Sequence, residues 1–320
     1  MGEEGLLGIG FTNAIHYNHR DIPFHIERHS MDINWYPGHM LKARRIMESS
    51  LKAVDFVIEV VDARIPRASR NPDFDDLFQT KARVIVLNKA DMADPARTRE
   101  WLKWYAAQGV PSVEFVATQR QGRESLLKMM QQAAEEKVQR MAARGAKKTI
   151  RALVAGIPNV GKSTLINALA GAASAKTGDK PGVTRGKQLI RITPWMELMD
   201  TPGVLWPKLN DPKGALNLAF TGAVKEEVMD SYKLALELIS ALAVQYPKAI
   251  PERYKLDHAE GGADEVLIAI AKKRGCLISG GEPDEERAAR IVLDEMKGAK
   301  LGRLTLERPG EREDQQPFEL

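Results

Sequence analysis

The residues that most clearly could do chemistry lie in a glycine-rich stretch near the middle of the chain. Residues 156–163 are Gly-Ile-Pro-Asn-Val-Gly-Lys-Ser, which fits the pattern Gly-x-x-x-x-Gly-Lys-Ser/Thr. In this pattern backbone N–H groups surround phosphate oxygens, and the lysine, here Lys162, reaches the β- and γ-phosphates. The hydroxyl of Ser163 is placed to bind Mg²⁺. The other predicted contacts of this loop are Pro158, Asn159, Val160, Gly161 and Thr164.

A second group, Asp200-Thr-Pro-Gly203, follows the apolar run 195–199. A carboxylate at the end of a strand can hold Mg²⁺ through water, and the N–H of Gly203 can contact a γ-phosphate. Between the two motifs lies the loop 180–185, whose Thr184 can complete the Mg²⁺ coordination. We therefore expect a magnesium site made by Ser163, Thr184 and Asp200. The residues expected to act in catalysis from these motifs are Lys162, Thr184 and Gly203.

A third group determines which base can bind. Asn88-Lys89-Ala-Asp91 follows an apolar run that ends at Leu87. The Asp91 carboxylate can accept hydrogen bonds from guanine N1–H and from the N2 amino group, whereas adenine would leave it unpaired. The loop containing Ala117 and Thr118 would lie behind the base through its backbone N–H groups. Together with the phosphate motifs, this group predicts a protein that binds GTP or GDP.

The order of these motifs is unusual. In Ras-like GTPases the phosphate loop comes first and Asn-Lys-x-Asp comes fourth, whereas here residues 88–91 precede residues 156–163. Each motif follows a strand, so a nucleotide site depends on where the strand ends lie in space and not on chain order. The sequence therefore predicts a circular permutation, in which the basic segment 122–150 joins the original chain ends.

The elements that must position these groups alternate between strands and helices, which is typical of an α/β fold with a mainly parallel sheet and helices on both faces. Strands are expected at 56–62, 83–87, 113–116, 152–155, 187–193 and 195–199. Helices are expected near 40–52, 95–108, 122–143 and 162–169. After Pro207 the pattern becomes all-helical, with helices at 213–222, 226–246, 263–274 and 284–298.

This pattern predicts four parts. Residues 31–207 form a circularly permuted Ras-like GTPase domain, residues 208–308 a small all-helical domain, and residues 309–320 an acidic tail. Residues 1–30 have no clear period and are expected to be a disordered extension; a true start at Met31 is the other interpretation. Their histidines could bind a metal, but no second cluster of ligands supports that interpretation.

Composition excludes several classes of protein. The chain has 320 residues and one cysteine, so a disulfide framework and a multi-cysteine zinc site are both excluded. No apolar run approaches the roughly 18 residues that span a bilayer. We therefore expect a cytoplasmic protein without a membrane partner. The net charge is only +4, but segments 35–47 and 137–151 concentrate basic residues, which indicates either RNA contact or a solvated helix face.

Two further motifs carry a family resemblance. Residues 34–40 are Asn-Trp-Tyr-Pro-Gly-His-Met, and residues 61–66 are Val-Asp-Ala-Arg-Ile-Pro. With the permuted motif order, they closely resemble the bacterial ribosome biogenesis GTPase A family over about residues 31–310. The resemblance implies a GTPase that acts late in assembly of the large (50S) subunit, touches 23S rRNA and is a monomer off the ribosome. It also implies that the helical domain binds RNA or the ribosome. The chain departs from the usual pattern at Ala117-Thr118, where Ser-Ala is common.

The catalytic group is not given by the main motifs. Ras-like enzymes place a water-orienting glutamine just after Asp-x-x-Gly, but here Val204 and Leu205 follow Gly203. The resemblance makes His39 the candidate for this role, and the alternative is that His39 only packs in its turn. Asn159 matches an asparagine that marks potassium-activated relatives, so a K⁺ ion beside the phosphates is expected to assist.

Three functional classes stay open on the sequence. The first is a GTPase of ribosome assembly, and the second is a GTP-gated RNA-binding module in which hydrolysis is incidental. The third, a P-loop kinase, is the weakest because kinases do not need Asn-Lys-x-Asp. Since residues 200–203 lead directly into the helical half, nucleotide state could also set the angle of that half.

Overall fold

The structure is a computed structural model. It describes residues 45–143, 149–171, 188–203, 205, 211–224, 230–256 and 261–310. These residues all belong to one compact unit, Ile33–Leu320. The predicted catalytic residues His39 and Thr184 lie outside the described residues, as do residues 1–30 and most of the tail 309–320.

The strands of the described residues form one six-stranded sheet. Its strands are β1 (Phe56–Asp62), β2 (Ala82–Asn88), β3 (Ser112–Glu114), β4 (Ile150–Ala155), β5 (Gln188–Thr193) and β6 (Met196–Asp200). The order across the sheet is β3-β2-β1-β4-β6-β5. All neighbours are parallel except β5, which is antiparallel to β6. The predicted α/β fold with a mainly parallel sheet is therefore confirmed.

Ten helices accompany the sheet in the part of the chain that the structure describes. The first, α1, is described over residues 45–51. The others are α2 (Asp73–Leu77), α3 (Pro95–Ala107), α4 (Arg123–Ala142), α5 (Lys162–Ala170), α6 (Pro212–Phe220), α7 (Ser231–Gln245), α8 (Ala249–Tyr254), α9 (Ala263–Lys273) and α10 (Glu285–Lys297). The longer helices agree with the sequence-based expectation to within a few residues, whereas α2 and α8 were not predicted.

The central strand β1 shows why both faces of the sheet are covered. Every residue of β1 is buried, and its apolar side chains alternate between the two faces of the sheet, where they join three apolar clusters. Phe56, Ile58 and Val60 belong to the cluster that includes residues of α4 and α5. On the other face, Val57 packs with residues of α1 and α2, and Val61 packs with Trp101 and Tyr105 of α3. This burial on both faces is typical of a parallel sheet.

The helical half, α6 to α10, shares its core with the sheet. Leu218 of α6, Leu238 of α7 and Val292 of α10 belong to the same apolar cluster as Val60 of β1. The short helix α8 contains Pro251 in its first turn, where the missing N–H would have had no partner within the helix. Among the described residues, no helix combines the length and the apolar character that a membrane crossing needs.

After α10 the chain returns to the sheet as an irregular segment, residues 301–310, which we call the C-terminal strap. Its Leu304, Thr305 and Leu306 are buried. The N–H of Leu306 donates to the carbonyl of Arg64 at 2.8 Å, just after β1. The indole Nε1 of Trp101, on α3, donates to the Glu307 carbonyl at 3.2 Å. Most of this strap falls within the range 208–308 expected to be helical, yet it packs against the N-terminal half.

Candidate functional site

The candidate site lies at one edge of the sheet. Along the chain, strands are added from β1 to β3 in one direction and from β4 to β5 in the other, so the direction reverses between β1 and β4. In parallel α/β sheets, ligands bind outside the carboxyl ends of the strands at such a reversal. The loops after β2, β3, β4 and β6 all start at this edge, and they carry the predicted motifs.

The loop after β4 has a backbone that requires its glycines. Gly161 has φ +96° and begins α5, and a Cβ there would come within 2.3 Å of Asn88 Nδ2. A Cβ on Gly156, with φ +152°, would come within 2.5 Å of the Val60 carbonyl oxygen. Asn159 is also left-handed, with φ +61°. The loop thus wraps tightly before the N-terminus of α5, where backbone N–H groups favour an anion.

Lys162 is buried beneath this loop. Its Nζ donates to the carbonyl oxygens of Gly156 at 3.1 Å and Ile157 at 2.7 Å. Burial lowers the pKa of the ammonium to about 8, and the nearby Asp200 carboxylate partly opposes that shift. The ammonium is therefore held inside the loop by carbonyls, in the position from which it can turn to phosphate oxygens.

The loop after β6 packs against the phosphate loop, close to Lys162. A Cβ on Gly203 would lie 2.8 Å from Pro158 N and 2.9 Å from Lys162 Nζ, so only glycine fits there. Asp200 ends β6 and is buried, and Ser163 follows Lys162 in the first turn of α5. A hydroxyl and a carboxylate are the hard oxygen ligands that Mg²⁺ prefers, so these two residues fit that ion. Among the described residues, no group of three or more His, Cys, Asp or Glu side chains is placed to hold a metal ion.

Asn88 joins three loops of the site. It is buried at the end of β2, and its Nδ2 donates to the Val160 carbonyl at 2.8 Å. Its Oδ1 accepts from the N–H of Ala117 at 3.2 Å. The side chain of Asn88 thereby fixes the phosphate loop and the loop after β3 to the loop after β2.

A cavity of about 120 Å³ opens between these loops. It is lined by Asn88, Lys89, Asp91, Met92, Ala117, Thr118, Gly161 and Thr164. All of these except Met92 were predicted from the sequence as nucleotide contacts. Asp91 and Ala117 thus line one cavity beside the phosphate loop, an arrangement that suits a purine base with donors on its edge.

Lys89 is held in place by Asp62, which the nucleotide-binding motifs do not include. It has φ +59°, and its Nζ donates to Asp62 Oδ2 at 2.8 Å. Arg64 also binds this carboxylate, through Nε at 2.9 Å and Nη2 at 2.8 Å. Burial alone would raise the pKa of the Asp62 carboxyl, but Arg64 and Lys89 hold it well below its usual range. Asp62 and Arg64 had been noted only as part of the family motif at 61–66.

Asn159, predicted to help bind potassium, contacts the helical half. Its Nδ2 donates to the Gly222 carbonyl at 2.7 Å, just after α6. Oδ1 is the atom of this side chain that could ligate a cation. The phosphate loop and the helical half are therefore joined directly at the residue expected to bind K⁺.

Comparison with known proteins adds independent findings. A family model described as 50S ribosome-binding GTPase matches residues 151–270, and one described as RsgA GTPase matches residues 78–210. The chain is 44% identical over 285 residues to ribosome biogenesis GTPase A of Priestia megaterium, covering 88% of this chain and 99% of that protein.

Two solved structures are also similar. A GDP-bound structure of TM YlqF is 28% identical with a TM-score of 0.63, covering 83% of this chain and 99% of that one. A GNP-bound structure of YlqF from T. maritima is 28% identical with a TM-score of 0.61, covering 85% of this chain and 100% of that one. These similarities concern nearly the full length of each relative.

Proposed function

Since the chain belongs to the ribosome biogenesis GTPase A family, we propose that it acts in late assembly of the large (50S) ribosomal subunit. It is a circularly permuted GTPase that binds guanine nucleotides and hydrolyses GTP. Its role in ribosome biogenesis follows from the family. The large-subunit precursor, contact with 23S rRNA, a cytoplasmic location and a monomeric state off the ribosome belong to the proposal.

In this proposal the base enters the cavity beside Asn88. The Asp91 carboxylate accepts from guanine N1–H and N2, while Lys89 flanks the base and Ala117 and Thr118 lie behind it. The observation that carries the proposal is the meeting of Asp91, Ala117 and Gly161 around one cavity. Asp91 and Gly161 are 70 positions apart in the chain, and they meet there because the parallel strands end at the same edge.

The phosphates would occupy the loop between Pro158 and Thr164, over the N-terminus of α5. Lys162 would leave the carbonyls of Gly156 and Ile157 and bind the β- and γ-phosphates. We place Mg²⁺ on Ser163 and Asp200, with Thr184 as a further ligand. The ion would neutralise charge on the phosphate oxygens, and the N–H of Gly203 would contact the γ-phosphate.

For hydrolysis we propose His39 as the group that orients water. Leu205, just beyond Gly203, is buried in the apolar core and has no polar atom on its side chain. A neutral imidazole can accept a hydrogen bond from water and so orient it for attack. K⁺ on Asn159 would add positive charge beside the phosphates.

The test of the His39 role is His39→Ala. Nucleotide affinity should stay within about threefold, while ribosome-stimulated turnover should fall by roughly 10²-fold, the range for a positioned acid–base group. Single-turnover hydrolysis on purified large-subunit precursors measures this. Stimulated turnover within twofold of the wild type would make His39 a packing residue.

The assembly role is tested by depleting the protein and separating ribosomal particles on a sucrose gradient. We expect an immature large subunit to accumulate and small subunits to be normal. Purified protein should then hydrolyse GTP faster on that particle than alone. Particle binding without any increase in turnover would support the alternative, a GTP-gated RNA-binding module in which hydrolysis is incidental.

A further inference from the structure

The C-terminal strap contacts the backbone on both sides of Asp91. Arg303 donates from Nη2 to the Ala90 carbonyl at 2.7 Å and from Nε to the Ala93 carbonyl at 2.9 Å. The N–H of Leu304 donates to the Met92 carbonyl at 3.1 Å. Three hydrogen bonds therefore join the strap to the short turn that carries Asp91, one of the residues lining the cavity.

The strap is itself held in place by hydrogen bonds of its buried residues. Thr305 is fully buried; its Oγ1 accepts from the N–H of Asp94 at 3.1 Å and donates to the Ala63 carbonyl at 3.2 Å. The strap thus lies between the chain after β1 and the chain after β2. Glu307, also buried, accepts from the N–H groups of Arg67 and Ala68.

A second connection reaches the same turn from α10. Arg64 donates from Nη1 to the carbonyls of Met296 at 3.3 Å and Lys297 at 3.0 Å, at the end of that helix. The same guanidinium binds Asp62, which in turn binds Lys89. The base-binding turn is therefore connected to the C-terminal part of the chain by two routes. The strap bonds the turn directly, and the end of α10 is linked to Lys89 through Arg64 and Asp62.

We propose that Arg303 is a positioning residue for guanine recognition, and that the strap holds the Asp91 carboxylate where it meets both N1–H and N2 of the base. This inference rests on the proposed guanine site. A carboxylate that accepts two hydrogen bonds at once needs its backbone fixed closely, since small displacements break one bond before the other. Apart from the strap, the described backbone hydrogen bonds of the turn are those of the Met92 and Ala93 N–H groups within the turn and that of the Ala90 N–H to the Phe115 carbonyl.

The variant that tests this is Arg303→Met, with affinities measured for GTP and for ITP, which lacks the N2 amino group. We expect GTP affinity to fall about fivefold, because two charge-assisted hydrogen bonds to the turn are lost from a partly exposed side chain. ITP affinity should fall less, so that the GTP/ITP preference shrinks about threefold. Arg303→Lys should restore part of that preference. Arg290→Met is the matched control, since Arg290 is exposed on α10 and bonds only its own helix at Glu286 O among the described contacts.

The outcomes separate this inference from the proposed function. If the wild type itself does not prefer GTP over ITP, Asp91 does not read the base and both ideas fail. If the wild type prefers GTP and Arg303→Met keeps the full preference, only the positioning role fails. Equal losses for GTP and ITP would show a general structural role for Arg303 and would likewise overturn it.

Hydrogen exchange on the unmodified protein gives a second test. Coupling between two sites is reciprocal, so a nucleotide that fixes the Asp91 turn must also stabilise the strap. GDP should slow exchange of the Leu304 amide, which donates to Met92, and should leave the Ala288 amide of α10 unchanged as the control. Unchanged exchange at Leu304 on GDP binding would overturn the inference.

Discussion

Asn88 illustrates how one side chain can organise several loops. Its amide uses the donor for the Val160 carbonyl and the acceptor for the Ala117 N–H, so each end of the group is matched to its partner. Aspartate in its place would set an oxygen against the Val160 carbonyl. An amide at this position therefore holds the phosphate loop and the loop after β3 together, independently of any contact with the base.

Asp91→Asn tests base recognition at the level of one atom. The amide would offer a donor where the carboxylate offered an acceptor, so guanine affinity should fall and xanthine nucleotides, with a carbonyl at C2, should compete. Discrimination of this kind reaches 10⁴-fold when a buried polar group is left unpaired, so a loss of at least about 10²-fold for GTP is expected. Competition titrations with GTP and XTP measure it. Equal GTP affinity in both proteins would remove Asp91 from the site.

Lys162 predicts a pH dependence of GTP binding. Burial lowers its pKa to about 8, so the ammonium loses its proton as the pH rises past that value. Phosphate oxygens favour the charged form and raise the pKa in the complex. Above pH 8, binding must therefore take up a proton, and affinity should fall by up to about tenfold per pH unit; below pH 7 it should be flat.

The control for this prediction is Lys162→Arg, because a guanidinium stays protonated throughout the range. The control shares any titration of the nucleotide itself. Titrations of GTP at several pH values between 6.5 and 9.5 should show the steeper alkaline loss only with lysine. The same slope in both proteins would contradict the assignment.

At the scale of elements, the loop after β6 lies directly against the loop after β4. Gly203→Ala would place a methyl group within 3 Å of Pro158 and of Lys162 Nζ. The phosphate loop would have to move, and overpacking of this kind costs about 1–3 kcal/mol. GTP affinity should therefore fall by about tenfold or more, as measured with a non-hydrolysable analogue.

Gly262→Ala is the matched control for Gly203→Ala. Gly262 also has an ordinary backbone, with φ −73°, and a Cβ there would meet only the carboxylate end of the Asp264 side chain. That flexible group can move aside, so GTP affinity should not change. Two variants with equal affinities would mean that the contact at Gly203 does not shape the phosphate site.

The helices and strands also show which parts of the structure could be predicted from the sequence. The long helices have a clear hydrophobic period, and the strands of the sheet are buried apolar runs. Because ligands bind at the carboxyl ends of parallel strands, the motifs there predicted seven of the residues that line the cavity. The five-residue α2 is too short to show a hydrophobic period. The helix α8 was missed because it contains Pro251, a residue that in sequence usually indicates a break between helices. The contact of Arg64 with the end of α10 and the contacts of the strap with the turn after β2 join residues more than 200 positions apart, which local patterns do not encode. The roles of His39 and Thr184 stay predictions.

At the scale of the whole molecule, the basic segments should bind the phosphates of rRNA. In the basic segment 137–151, Lys137 pairs with Asp55 and Arg151 pairs with Glu197. Arg45, at the described start of α1, is exposed. We therefore expect Arg45, with its neighbours at 42–44, to contribute more to RNA binding than Lys137.

The measurement is affinity for the large-subunit precursor at salt concentrations from about 50 to 200 mM. Affinity should fall with salt, and Arg45→Ala should reduce the slope of log affinity against log salt by roughly 0.7–0.9, as for one phosphate contact. Arg290→Ala serves as the exposed control. An affinity independent of salt would indicate that the particle is recognised through its proteins.

The position of the strap also has a consequence for how the protein matures. The turn after β2 is among the first parts of the described chain to leave a ribosome during synthesis, but residues 303–307 that hold it follow more than 200 positions later. Closing so long a loop is slow, because its entropy must be lost before the contacts are gained. Selection for guanine should therefore develop last in folding, after the phosphate loop and its helix have formed, and a nascent chain would retain nucleotide poorly until its own helical half had been made.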